Sequence, residues 1–295
     1  MNLKMNHKLM KMRDDYYHSF NALRNITMML RFRYMSFANR DKDIVIEKDG
    51  KKLTKVHMNR YHRGHHSVEF LKQYDRWRFK DVRFLRLYQS LSTLKTSFPV
   101  LPSGGQERKD IKKRLLTEMK KYVTGYDISF DFDAKGISLN TLKSEVLELC
   151  QFFDEYKVSY SVIFSGQRGF HVRIPSEFLH PVLQRDYNRV ISVTRKIALY
   201  HNTLHIDIIG SDIMGVFKLP YSVDGRCPNF KVVLPLTIKQ LNEFTLDFAS
   251  LPYVIKNIKL VDSKNEPRGY VMNNFLGIEK QQDNSLKMIE DIETW

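Results

Sequence analysis

Residues 126–133, Tyr-Asp-Ile-Ser-Phe-Asp-Phe-Asp, limit the fold of this chain more than any other stretch. They alternate strictly. Tyr126, Ile128, Phe130 and Phe132 fall on one side, Asp127, Ser129, Asp131 and Asp133 on the other. A period of two belongs to a β-strand with one buried face; a helix would scatter these groups around its axis. The aromatic face demands a core to cover it, and the opposite face then carries carboxylates. Asp131 and Asp133 project to the same side, about 7 Å apart along the strand. Like charges so placed repel, and a hard divalent cation offsets the repulsion. Taken alone, an Asp-x-Asp pair is more simply read as wet surface acids. Nothing distinguishes Asp127 from a solvated acid.

Short strands and helices follow. Residues 138–156 have a helical pattern, 160–164 and 170–174 form two strands around a glycine turn, and 181–200 make one long helix. Strands are expected at 204–208, 216–219 and 232–234, and Thr237-x-x-Gln240 starts a capped helix. Upstream the pattern gives amphipathic helices at 12–35, a hairpin turning at Asp49-Gly50, a helix at 67–74 and a strand running into a helix over 83–94. Pro99–Gly105 is the clearest punctuation, followed by a basic helix over 107–122. The chain is therefore α/β. A basic N-terminal αβ module spans 1–120, a second module 121–260, and a polar tail 261–295 is expected to be partly mobile.

Charge separates the first two parts. Residues 1–120 hold 28 Lys and Arg against 12 Asp and Glu, whereas residues 121–295 hold 20 against 21, so the whole net charge of +15 has its origin upstream. A concentrated positive field attracts a polyanion, and nucleic acid is the commonest soluble one. The plainer reading is a solvated surface that keeps the protein soluble. Cys150 and Cys227 are too few for a disulfide framework or a four-thiolate cluster, which points to a reducing, cytoplasmic setting. No apolar run has the length of a spanning helix and no secretory signal is visible, so no membrane partner is expected.

Two further segments complete a chemical constellation. In Ser165-Gly-Gln-Arg-Gly-Phe-His171, Gly166 and Gly169 permit positive φ and let backbone N–H groups approach an anion. Arg168 adds a planar donor fork, and His171 points away from Phe170 and Val172, where an imidazole can meet phosphate. A plain hairpin with a solvent-facing Arg and His is the alternative. Asp207 shares a strand face with His205 and supplies the third carboxylate that two-metal nucleotidyl transfer needs. Lys218 ends the next strand, where a cation suits a phosphate and an exposed lysine is the simpler reading.

Asp131-Phe-Asp133-Ala-Lys135, Phe164-Ser-Gly-Gln-Arg-Gly-Phe-His171 and Ile206-Asp207 followed by Lys218-Leu-Pro-Tyr-Ser-Val-Asp-Gly225 closely resemble, in order, the three motifs of the archaeo-eukaryotic primase superfamily. The nearest match is the catalytic small subunit of archaeal and eukaryotic DNA primase. The resemblance covers roughly residues 85–250, with Leu87-Tyr88-Gln89-Ser90 a looser match to the strand ahead of the first motif. It implies an RRM-like mixed sheet in the second module, the catalytic one, joined to the N-terminal module as one bilobal primase-polymerase core. It also implies that Asp131, Asp133 and Asp207 bind two catalytic ions, Mg2+ or Mn2+. Ser165, Gly166, Arg168, Gly169, His171 and Lys218 would hold the triphosphate. Two cysteines cannot build the zinc knuckle common in the family, and His57, His62, His65 and His66 are a weak substitute, so no structural zinc is expected. Asp224 stands where the family often has a histidine.

The implied activity is template-directed nucleotidyl transfer that makes primers on single-stranded DNA from NTP or dNTP, in a cytoplasmic, nucleoid-associated setting. A second primase subunit or a helicase is the candidate protein partner. Two alternatives stay open: a primer-extending repair or end-joining polymerase of the same fold, and a non-catalytic nucleic-acid-binding protein. Tyr74, Trp77 and Tyr88 are candidates to stack on bases, although aromatic residues among apolar neighbours are more often core.

Overall fold

The computed structural model describes residues 3–30, 33, 35–48, 51–61, 70–72, 74–75, 86–90, 92–94, 122–134, 136–201, 205–207, 216–227, 229–257, 273 and 278–295, with the backbone alone for 3–6, 35–48, 51–61, 90, 92, 94, 207, 278 and 279. Its strands are β1 (Met35–Lys48), β2 (Lys51–Tyr61), β3 (Arg86–Ser90), β4 (Ser92–Leu94), β5 (Val123–Tyr126), β6 (Ile128–Asp133), β7 (Ser161–Phe164), β8 (Gly169–Ile174), β9 (Ile206–Asp207), β10 (Val216–Lys218), β11 (Val223–Asp224), β12 (Lys231–Val232) and β13 (Leu234–Leu236).

The alternating segment forms β6, at the heart of an antiparallel sheet ordered β13-β7-β8-β6-β9. Between β6 and β7 runs the helix Leu139–Glu155, and between β8 and β9 the helix Tyr187–Tyr200. This βαββαβ succession, with its second, third, first and fourth strands side by side, is the RRM-like arrangement, extended here by β13. Ile128, Phe130, Phe132, Val162, Phe164, Phe170, Val172 and Ile174 are all fully buried. They form the sheet face beneath the first helix, where the Phe130 and Phe153 rings lie 6.1 Å apart. Ser138 caps that helix by accepting from Thr141 N at 3.1 Å.

The long helix expected over 181–200 is two, Pro181–Gln184 and Tyr187–Tyr200. The Asp186 carboxylate accepts from Arg189 N at 3.0 Å. It takes a backbone donor and starts a fresh helix instead of continuing the old one. The strand expected at 232–234 divides into β12 and β13, and Pro235 belongs to the latter. Thr237 and Gln240 then form the expected capping box of Ile238–Glu243.

A second antiparallel sheet has the order β10-β3-β1-β2. Its register pairs Lys48 with Lys51, in keeping with the expected hairpin; Asp49-Gly50, the 99–105 loop and residues 107–121 lie outside the described residues. Strand β10 comes from the later part of the chain yet completes the sheet of the earlier part. Tyr16 Oη donates to Tyr221 O at 2.9 Å, and Val223 N donates to Tyr17 Oη at 2.8 Å. One hydrophobic core accordingly runs from Leu9 to Ile292.

In the tail, 261–272 and 274–277 lie outside the described residues, while Ile278–Glu293 forms a helix. Its scattered apolar anchors fall on one side, burying Met288, Ile289 and Ile292. Gln281 Oε1 accepts from Ser159 N at 2.5 Å, and Ser285 Oγ accepts from His180 N at 2.9 Å. Among the described residues no helix is long and apolar enough to cross a membrane.

Candidate functional site

Register assembles the acids. Asp131 of β6 pairs across the strand with His171 of β8 on one side and with residue 207 of β9 on the other. Directly opposed residues share a sheet face, so this row lies opposite the helix-covered face. Asp133, two positions along, pairs with Gly169 at the start of β8, and Asp133 N donates to His205 O at 3.4 Å. The side chain of Asp207 is outside the described residues, so its place rests on the backbone register. Among the described residues no group of three or more His, Cys, Asp or Glu is gathered as a metal site.

The glycine turn closes beside the acids. Ser165 N donates to Gly169 O at 2.9 Å, and Ser165 Oγ accepts from Gly169 N at 3.2 Å. Gly166 has φ +82°, and a Cβ there would lie 2.9 Å from Val233 Cγ2. Gly169 is needed for a different reason. Its φ is ordinary, but a Cβ would come within 2.3 Å of Phe132 O, so only glycine lets β8 lie this close to β6. Arg168 turns inward, donating Nε to Asp133 Oδ1 at 2.9 Å. Both partners stay partly exposed, with the Arg168 side chain 55% and Asp133 27% accessible.

His171 is buried, its Nε2 3.4 Å from Asp131 Oδ1 and its ring 4.3 Å from that of Phe217. Burial, then the charges of Lys218 and Arg173, push its pKa down to about 3, so the ring is neutral at physiological pH. Its Nδ1 is buried without a hydrogen-bond partner. Phe217 belongs to β10, so the second sheet roofs part of the acid-bearing face and leaves Asp131 and Asp133 at its open margin.

Lys218 is not the exposed lysine of the simpler reading. It is buried and donates Nζ to Asp224, which also receives Arg226 Nη2 at 2.6 Å. Burial pushes the Lys218 pKa down to about 8 while Asp224 opposes the fall. For Asp224 burial acts upward, yet the hydrogen bonds of Arg226 and the charge of Lys218 outweigh it and hold the carboxyl at about 2.

Two corrections concern charged groups. Asp127 is no solvated acid. It is buried and accepts from Arg33 Nη2 at 2.9 Å, Arg173 Nε at 2.5 Å and Ser176 N at 2.8 Å. The break between β5 and β6 falls at this residue, which turns its carboxylate to arginines from two distant segments. His205, expected on a strand face with Asp207, lies outside β9 instead. Standing just before β9, its Nδ1 lies 2.8 Å from Glu145 Oε1 on the helix Leu139–Glu155.

The oxygen donors of Asp131 and Asp133, open at the margin and met there by Arg168, suit a hard divalent ion. The orphaned His171 Nδ1 and the cations around the turn suit a polyphosphate. Tyr74 is fully buried and serves the core, Tyr88 is half-buried, and Trp77 lies outside the described residues, as do His62, His65, His66 and the side chain of His57.

No protein-family model and no curated protein matches the chain. Solved structures do show similarity. The polymerase domain of ligase D from Mycobacterium tuberculosis, in complex with DNA, is 12% identical with a TM-score of 0.45 over 84% of this chain and 90% of that one. The catalytic domain of the primase RepB′ in complex with initiator DNA is 9% identical, with a TM-score of 0.38 over 73% and 84%. A further structure of primase RepB′ is also 9% identical, with a TM-score of 0.41 over 75% and 62%.

Sequence reasoning overlooked Arg173, Asp224 as a partner of Lys218, and Arg226. A signal existed for Arg173: the alternation that directs His171 to the acid-bearing face directs Arg173 there as well. For Arg226 the chain offered only its nearness to Asp224, which becomes meaningful once both close on Lys218.

Proposed function

We propose that the protein is a template-directed nucleotidyltransferase of the primase-polymerase kind, akin to the primase catalytic small subunit. The observation that carries this reading is the cross-strand row His171–Asp131–residue 207, with Asp133 two positions along and the glycine turn at its end. Asp131, Asp133 and Asp207 would hold two divalent ions, Mg2+ or Mn2+. Such ions, when bound, lower the charge barrier to attack by a 3′-oxygen and to departure of pyrophosphate. Attack at the α-phosphorus forms the new P–O bond as the bond to the β-phosphate oxygen breaks.

The chain's own groups do the rest. Arg168 pairs with Asp133, and with an incoming triphosphate its fork would turn to phosphate oxygens. His171, neutral and with Nδ1 unpartnered, is placed to bond the same polyphosphate, and Lys218 adds charge beside the turn. Ser165, Gly166 and Gly169 set the shape of that turn. The basic residues of 1–120 would track a single-stranded DNA template through its phosphates, with little base readout.

The test is incorporation on a single-stranded template, with and without a primer, supplied with ribo- or deoxyribonucleotides. Asp131→Asn and Asp207→Asn are each expected to lower incorporation by at least about 1,000-fold, as loss of a metal-holding carboxylate should. Their circular dichroism should stay that of the parent. Full activity in either variant refutes the proposal. Extension of primers without synthesis from bare template would assign the chain to primer-extending polymerases of this fold.

A further inference from the structure

We infer that Arg226 is a further cation of the phosphate grip, and that Asp224 is the residue that positions it, with Lys218, against the glycine turn; the inference rests on the nucleotide-binding reading above. Arg226 donates Nε to both Asp224 oxygens, at 3.0 and 3.2 Å, Nη2 to Oδ2 at 2.6 Å, and its backbone amide to Oδ1 at 3.1 Å. Lys218 Nζ donates to the same Oδ2. One carboxylate thus gathers two cations from β10 and from the turn after β11.

The cluster abuts the proposed phosphate site. A Cβ on Gly166 would stand 3.3 Å from Asp224 Cβ, and Cys227 Sγ lies 3.9 Å from Gly166 O. Residues on both sides of Arg226 therefore touch the glycine whose positive φ shapes the turn. Arg86 and Tyr88 of β3 add to the electrostatic surroundings, so among the described residues the cations Lys218, Arg226 and Arg86 outnumber the one carboxylate, Asp224.

Accessibility is graded. Asp224 is sealed, Lys218 nearly so, and the Arg226 side chain keeps 26% of its surface open. A guanidinium can hold a carboxylate along one edge and still offer N–H donors elsewhere to a phosphate oxygen. An ammonium this deeply buried is less accessible. Arg226 is hence the outward end of the cluster, and the β,γ end of a nucleoside triphosphate is the ligand it suits. Asp224 takes no part in the reaction; it sets where the two cations point, and it counters the fall that burial imposes on the charge of Lys218.

The experiment pairs calorimetry with primer-extension kinetics on the full chain. Arg226→Ala should weaken binding of the Mg2+ nucleoside triphosphate, and raise its KM, about tenfold, the loss expected for one charge-assisted hydrogen bond, while kcat moves little. Nucleoside monophosphate binding should not change. Arg226→Lys should recover part of the loss, because it restores charge without the fork. Asp224→Asn, with its melting temperature measured as a control on folding, should weaken triphosphate binding in the same direction.

An unchanged triphosphate affinity in Arg226→Ala overturns the inference, as does equal weakening of mono- and triphosphate, which would mark a general charge effect. Tighter triphosphate binding by Asp224→Asn would make Asp224 a competitor for the cations and overturn its positioning role. A parent protein that binds triphosphate but never extends a primer sinks the polymerase reading alone, leaving the calorimetric series to judge Arg226. A parent that binds no triphosphate sinks both.

Discussion

Gly169 shows how finely single residues are fitted here. An added methyl group would meet the backbone oxygen of Phe132 at 2.3 Å, and strand backbone cannot yield as a flexible side chain can. Gly169→Ala is expected to cost about 3 kcal/mol through this overpacking, read as a lower denaturant midpoint; an unchanged midpoint would contradict the geometry. Gly166 and Gly169 were legible in the sequence as givers of positive φ and of room for an anion, and of the two only Gly166 has the positive φ. Asp224 makes a pH prediction. Its carboxyl titrates near 2 in the folded chain and near 3.9 when unfolded, so the unfolded chain binds the proton first as pH falls. The stabilisation is complete above about pH 4 and is lost on descent towards pH 2, at no more than about 1.4 kcal/mol per pH unit for this one group. Asp127, also held low between its arginines, acts in the same direction. Urea midpoints measured across that window should fall less steeply in Asp224→Asn than in the parent. Equal slopes would mean the group does not titrate as its partners require.

Elements owe their places to quite different forces. β6 declares itself through alternation, and the helix Leu139–Glu155 through its apolar spacing and Ser138 cap. By contrast β9 is two residues long, at the margin of its sheet, and no local pattern fixes its register. Its neighbour His205 reaches Glu145 at 2.8 Å, which ties this short strand to the helix behind the sheet. The helix Ile278–Glu293 is the plainest case of an element made by packing. Read alone it is polar, with apolar residues too sparse to announce a core. Folded, it buries Met288, Ile289 and Ile292 as it packs on the turn Ser176–Phe178 and the helix Tyr187–Tyr200. Ile289→Ala should therefore cost about 2–4 kcal/mol, a cavity-sized loss. The bidentate pair that Glu293 of this helix makes with Arg189 of the helix Tyr187–Tyr200 has good distances, 2.6 and 2.7 Å, but lies at the surface, and Glu293→Gln should cost under about 1 kcal/mol. Chemical denaturation of the two variants separates burial from charge as the source of docking.

At the scale of the molecule, Asp127 joins what the sequence keeps far apart. Arg33 follows the helices Leu3–His18 and Phe20–Met29, Arg173 lies on β8, and Ser176 follows that strand; all three converge on one sealed carboxylate. Gln89 of β3 joins them: with its side-chain amide turned to satisfy both neighbours, it accepts from Arg173 Nη1 at 2.6 Å and donates to Met29 O at 2.9 Å. Asp127→Ala would take the shared carboxylate from two buried guanidinium groups, leaving Arg33 the more distant Glu177 carboxylate at 4.0 Å, at an expected cost of about 3–5 kcal/mol. The unfolding midpoint measures it, and a loss below about 1 kcal/mol would show that the arginines find water instead. From sequence Asp127 looked like any surface acid, because burial of a charge depends on partners 94 and 46 positions away. Short-range order settled the other half of the picture: alternation settled which side of β6 bears acids, glycine settled where the chain reverses, and the Thr237–Gln240 spacing settled where a helix starts. Those features depend on neighbours along the chain, whose spacing is a property of the sequence. Tertiary structure alone decided that β9 lies beside β6, that β10 crosses to the other sheet, and that Lys218 and Arg226 share a carboxylate. Each of these pairs residues through space, where burial and charge are set by whichever distant segment arrives.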